Sequence, residues 1–319
     1  MKRSLLPLIT RTGLSFLSAL LVCLGGIVAL PDVAQAYPIY AQQAYDSPRE
    51  PTGRIVCANC HLGAKPTKVE IPQSVLPDTV FKAIVQIPYD KDAQQVLGNG
   101  ELGPLNVGAV LSLPEGFKLA PAERLSEELK EETAGLFFQP YKAGEDGTYV
   151  IGPISGLDHQ EIVFPILSPD PKTDTTVHFG KYSIHAGGNR GRGQLQPTGQ
   201  KTNNAVYTAS VAGKVTGISA GDTGTTVTLA AEDGTTVTDE IPKGPQVIVA
   251  KGDTVTAGQP LTNDPNVGGF GQKDAEIVLQ NPTRVKWLMA FFAAIMISQT
   301  MLVLKKKQVE KVQAAEMNF

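Results

Sequence analysis

Cysteine, methionine and aromatic side chains are all scarce in this chain, and each scarcity removes a class of function. Cys23 lies in an N-terminal apolar run that reads as removable, so of three cysteines only Cys57 and Cys60 remain, as a single pair. One pair builds no disulfide framework. The five methionines are Met1, Met289, Met296, Met301 and Met317, so none falls between residues 37 and 284. Charged residues make up 18% and hydrophobic ones 42%, which excludes both a disordered tail and a many-span membrane protein. Aromatics are only 6%, whereas 32 glycines and 23 prolines suit short strands joined by turns. A length of 319 residues accommodates two domains of ordinary size.

Two apolar runs are present. Lys2, Arg3 and Arg11 precede the run Leu14 to Leu30, and Ala34-Gln35-Ala36 offers small residues at a cut before Tyr37. This is the layout of a secretory signal, residues 1–36, removed on export. Trp287 to Leu304 is an 18-residue run without charge, and Lys305, Lys306 and Lys307 follow directly. At about 1.5 Å per residue, 20 residues cross a hydrocarbon core of about 30 Å. A membrane helix over 285–304 is predicted, with the tail 305–319 kept on the cytoplasmic or stromal side by its lysines. The exported stretch 37–284 carries 20 basic and 28 acidic residues, a net −8.

Within that stretch the pattern is mainly β. Val80–Ile87, Val107–Leu113, Gly147–Ile151, Glu161–Ile166 and Thr176–Ile184 read as strands, and their spacing predicts an antiparallel β-sandwich. Ala120–Thr133 reads as a short charged surface helix. A large domain over 37–205 is expected, completed by 268–284, with a small β domain over 206–267 inserted. The phrase from Val247 to Leu261 resembles a lipoyl-domain hairpin, but the modified lysine of such carriers is missing, so it reads as a small β-barrel without chemistry.

Cys57-Ala58-Asn59-Cys60-His61 is the C-x-x-C-H signature of c-type haem attachment. Two intervening residues set both sulfurs over one helical turn, and the adjacent histidine is aimed at the iron as proximal ligand. A structural zinc site needs four ligands, a thioredoxin-like pair needs a βαβ context, and a disulfide across two residues is strained. The sixth iron ligand is open from the residues alone. Methionine is excluded by count, which leaves His159, His178, His185 or something unusual, and a histidine is the plainest choice.

Other stretches carry a resemblance. Tyr37-Pro38-Ile39-Tyr40-Ala41-Gln42-Gln43 after the cut, Leu105 to Val110, Leu113 to Phe117, and Gly187-Gly188-Asn189-Arg190-Gly191-Arg192-Gly193-Gln194 together resemble the cytochrome f family, cyanobacterial in type, over the whole chain. The resemblance implies one haem c, tethered by Cys57 and Cys60, with iron held by His61 and by the α-amino group of Tyr37. A free α-amine, with a pKa of about 7.7–8.0, offers its lone pair when neutral, and only cleavage before Tyr37 creates it. The resemblance further implies that Pro153 packs on the haem and that Gln95, Asn189, Gln194 and Asn204 bound a buried chain of waters.

It also implies a role: an electron-transfer subunit of the cytochrome bf complex, single-pass in the thylakoid membrane with its haem domain in the lumen. Its electron would come from the Rieske iron–sulfur protein and go to plastocyanin or a soluble c-type cytochrome, linking photosystem II to photosystem I and supporting cyclic flow. Cytochrome b, the other subunits and membrane lipid would be its neighbours. Nucleic acid would not be a partner, and no catalytic acid, base or nucleophile is expected. Two features depart from the plant-type pattern. Gln94, Glu101 and Leu102 stand in the stretch 93–103 where lysines form a docking patch, and Tyr40 stands where the family has Phe or Trp beside the haem. The rival from the enzymes is a peroxidase or ligand sensor with an open iron, which would need a distal His159 or His185. The structural rival is a lipoyl-like scaffold whose haem is incidental.

Overall fold

The computed structural model describes residues 38–317, so the signal segment 1–36 and Tyr37 lie outside the described residues. A short helix α1 (Pro38–Ala44) is followed by a 3-10 turn, Val56–Asn59. Strands β1 (Lys68–Glu70), β2 (Ser74–Val75) and β3 (Val80–Gln86) come next, then the hairpin β4 (Gln94–Val96) and β5 (Leu102–Pro104), and β6 (Asn106–Ser112). After β7 (Lys118–Leu119) and α2 (Glu127–Glu132) run β8 (Gln139–Pro140), β9 (Thr148–Ser155), β10 (Glu161–Leu167) and β11 (Gly180–Arg190). Strands β12 (Gly213–Ala220), β13 (Gly224–Ala231), β14 (Thr236–Pro242) and β15 (Thr254–Val255) form a smaller unit, before β16 (Gly269–Leu279) and α3 (Pro282–Glu316).

The sandwich pairs a four-stranded sheet, β1-β3-β10-β7, with a six-stranded one, β2-β16-β11-β6-β9-β8. In β3 the alternation is regular: Phe81, Ala83 and Val85 turn inward to meet Ile162, Phe164 and Ile166 of β10. Strand β6 is buried along five consecutive residues because both its faces are covered. Val107, Ala109 and Leu111 enter the sandwich core, while Val110 joins a second cluster with Ile55, Val56, Tyr141, Val150 and Phe270. That second cluster is the floor on which the site is built.

Three expectations need adjustment. The strand expected over Thr176–Ile184 starts at Gly180, because Asp174 accepts hydrogen bonds from the Thr176 amide (3.0 Å) and hydroxyl (2.7 Å) and fixes a turn there. It then runs through Gly187 and Gly188 to Arg190, where a Cβ on Gly187 would stand 2.5 Å from the Phe270 ring. The helix expected over Ala120–Thr133 is broken into a 3-10 turn, Ala122–Arg124, and α2, whose start is capped by Ser126 accepting from the Leu129 amide. Helix α3 outruns the expected 285–304 at both ends. Asn281 caps it by accepting from Thr283 and Arg284, and beyond the lysines no glycine or proline stops it before Glu316. At about 1.5 Å per residue its 35 residues reach about 52 Å, and it is long and apolar enough to cross a membrane. The small unit is an antiparallel sheet, β14-β13-β12-β15, packed on Val215, Val227, Leu229, Ile241 and Leu261.

Candidate haem site

The attachment turn is fixed by local backbone bonds and by two distant clamps. The amides of Cys60 and His61 both donate to the Cys57 carbonyl, at 3.3 and 3.0 Å, which closes the turn and sets both thiols and the imidazole close together. Arg54 donates to the Ala58 carbonyl at 2.9 Å, and Asn59 donates to Glu50 at 3.1 Å. From the loop after β11, the Gln194 amide donates to the Cys60 carbonyl (2.8 Å), while its side-chain oxygen accepts from the Leu62 amide (2.8 Å). From β16, Gln272 accepts from the Ile55 amide at 2.9 Å.

Cys57, Cys60 and His61 line one cavity of about 350 Å³, walled by Val56, Val110, Val150, Ile151 and Phe270 and roofed by Pro38, Tyr40 and Ala41 of α1. The roof is held on the strands below. The Tyr141 hydroxyl lies 2.9 Å from the carbonyls of Ala41 and Tyr45, and Gln42 donates to the Tyr141 carbonyl at 2.9 Å. Tyr40, at the position of the aromatic departure, lines the cavity and is 40% exposed.

The chemistry of the three ligand-type residues is distinctive. His61 is buried, its Nδ1 has no hydrogen-bond partner, and burial together with the charge of Arg190 pushes its pKa down to about 4. The imidazole is therefore neutral and keeps a lone pair to offer. Burial, with the neighbouring Cys60, pushes the Cys57 thiol up to about 12, and burial raises Cys60 as well. A redox-active dithiol calls for the opposite shift. Both cysteines are free, and among the described residues no cluster of three or more His, Cys, Asp or Glu could hold a metal ion, which removes the zinc reading. An apolar slot bounded by two unpaired thiols and one neutral histidine fits a covalently tethered haem.

The structure brings most, but not all, of the remaining expected residues together. Gln95 and Asn204 are buried and meet at the backbone of Arg192: Gln95 accepts from its amide (2.7 Å), while Asn204 and Gln194 donate to its carbonyl (2.9 and 3.1 Å). The Asn204 Oδ1 is buried without a protein partner. Asn189 stands apart from this group, on the cavity wall. Pro153 is not itself a lining residue; it follows Gly152, which is, and the bond between them is cis. The three other histidines are elsewhere. His185 pairs with Asp274 at 2.8 Å, His178 stacks near Tyr182, and neither these nor His159 lines the cavity. The histidine favoured from the residues alone as sixth ligand is thus displaced from the site. Tyr37, expected as the sixth ligand, lies outside the described residues, though Pro38, its neighbour in the chain, is in the roof.

Sequence reasoning quoted Arg190 and Arg192 but gave them no role. Both are buried, and Arg192 spans from β4 to Asn203, donating to the Val96 carbonyl (2.9 Å) and to the Asn203 side chain (2.6 Å). Two arginines among glycines at the end of an apolar strand were the available signal.

Comparison with known proteins points to one family. The family model described as apocytochrome F, N-terminal, matches residues 37–191, and the one described as apocytochrome F, C-terminal, matches residues 203–319. Cytochrome f of Acaryochloris marina is 64% identical over 319 residues, covering 100% of both chains. Cytochrome f of Cyanophora paradoxa is 61% identical, covering 98% of this chain and 96% of its own, and that of Mastigocladus laminosus is 61% identical, covering 92% and 90%. Among solved structures, a fimbrial subunit of Escherichia coli overlaps 68% of this chain and 97% of its own at a TM-score of 0.24 and 11% identity, too slight a likeness to argue from.

Proposed function

The chain belongs to the cytochrome f family, and from that premise we propose how its residues divide the work. Membership makes it an electron-carrying subunit of the cytochrome bf complex in the thylakoid membrane, with one covalently bound c-type haem. Cys57 and Cys60 would tether that haem by thioether bonds, and His61 and the α-amino group of Tyr37 would hold its iron. The haem supplies one reversibly held electron. Everything else the chain contributes is position, dryness and charge.

The observation that carries this reading is the neutral, buried imidazole of His61, with an unpartnered nitrogen, beside two free thiols at one cavity. Support for Tyr37 comes from Pro38, which lines the same cavity while no second histidine does among the described residues. Pro153 braces the wall through Gly152, and Gln95, Asn189, Gln194 and Asn204 hold buried water; the unpartnered Asn204 oxygen calls for such a partner. Among the described residues no aspartate or glutamate lines the cavity either, so a peroxidase's acid–base group finds no support there. Its donor is the Rieske iron–sulfur protein and its acceptor plastocyanin or a soluble c-type cytochrome, in the lumen, between photosystem II and photosystem I and in cyclic flow.

Blocking signal cleavage tests the least ordinary part. In Ala36→Asp the chain keeps its signal, so Tyr37 has no free amine, and the optical spectrum is expected to lose its low-spin form or to acquire carbon monoxide sensitivity. An uncleaved protein, verified by mass spectrometry, with an unchanged low-spin spectrum would refute amine ligation.

A further inference from the structure

We propose that Arg190 sets the reduction potential of the site high: a buried guanidinium with no carboxylate partner, held on the segment that runs on from His61, favours the reduced over the oxidised haem. The inference rests on His61 being an iron ligand.

Strand β11 alternates its faces, so Gly187 and Asn189 turn toward the cavity while Gly188 and Arg190 turn away from it. A Cβ on Gly188 would meet Ile87 and Thr67, and Arg190 enters the same region, fully buried. Its Nη2 donates to the Pro66 carbonyl at 2.6 Å and to the Thr67 hydroxyl at 3.3 Å. Those residues belong to the segment that runs directly on from His61. The Nε and Nη1 atoms are buried and have no hydrogen-bond partner. None of the ion pairs among the described residues includes Arg190.

A cation placed this way is costly, because neither water nor an anion offsets its lost hydration. Its field is correspondingly long-ranged, since a low-dielectric surrounding screens little. Burial lowers the Arg190 pKa only to about 10, so the group stays charged at neutral pH. Oxidation removes one electron and adds one positive charge at the iron, so the guanidinium opposes that step by the same sign. Arg192 differs, because its guanidinium finds the Val96 carbonyl and the Asn203 side chain.

Redox titration of the full-length holoprotein tests this. In Arg190→Gln the equilibrium constant for reduction should fall about tenfold, which is 59 mV for one electron. In Arg190→Lys, which keeps the charge and loses the fork, it should stay near the parent value. Thr67→Asp sets a carboxylate beside the guanidinium and should lower the constant comparably, and it decides the matter if the glutamine variant does not retain haem. A parental potential in Arg190→Gln or Thr67→Asp, or a lysine variant that falls as far as the glutamine one, overturns the proposal. Failure of the ligand reading would look different: an unchanged low-spin spectrum in His61→Gln, whatever the potentials of the Arg190 variants.

Discussion

His61 is neutral in the folded chain because its surroundings reject a proton, and that rejection has a sign. Its folded pKa, about 4, lies below the 6.5 of an unstrained imidazole. The unfolded chain therefore binds the extra proton first, and the stability His61 permits is full above pH 6.5 and lost as pH falls toward 4. In the haem-free chain this amounts to about 3 kcal/mol across that window. Urea unfolding at neutral pH and at about pH 4 should show that loss in the parent beyond the loss in His61→Gln. Equal losses in the two would mean the imidazole is not buried as described. At this scale the sequence was informative where spacing carries chemistry: C-x-x-C-H put three residues together because a single turn does so. It was silent on Arg190 and Arg192, since burial of a charged residue depends on a segment more than 120 positions away, such as Pro66.

Elements were legible in proportion to how local their causes are. Strand β3 follows from its alternation, and β10 from its apolar run. The sequence reading ended this strand at Ile184, whereas β11 runs on through Gly187 and Gly188, where the close approach of Phe270 and Ile87 demands glycine. The length of α3 was underestimated because a hydropathy argument ends where charge begins, while helix propensity does not; Lys306 and Glu310, 3.8 Å apart, lie one turn beyond the apolar run. None of the residues that line the cavity comes from α3. Truncation after Asn281 should therefore release a soluble domain with its haem and spectrum intact, checked by fractionation and absorption. Loss of haem from the released domain would show that the helix shapes the site.

The stretch 37–284 carries −8, and its hairpin β4–β5 exposes Gln94, Glu101 and Leu102, with no lysine among them. We infer from this that the native acceptor is neutral or basic at its docking edge. Screening acts over about 8 Å at physiological salt, so rates of steered association depend on ionic strength. The second-order rate with such an acceptor should fall or stay flat as salt rises, and that with an acidic plant-type plastocyanin should start low and climb. A steep fall with the acidic partner would contradict the inference.

The clamps on the attachment turn also impose an order of events on biogenesis. Gln194 follows Leu62 by 132 positions, Tyr141 follows Ala41 by 100, and Gln272 follows Ile55 by 217. A chain that emerges from the N-terminus delivers Cys57 and Cys60 long before any of those partners. The cysteines are thus accessible to an attachment machinery during a long interval in which the walls do not yet exist. The pocket closes only when the chain has arrived as far as β16, so the last strand to be made is the one that seals the first site to be loaded.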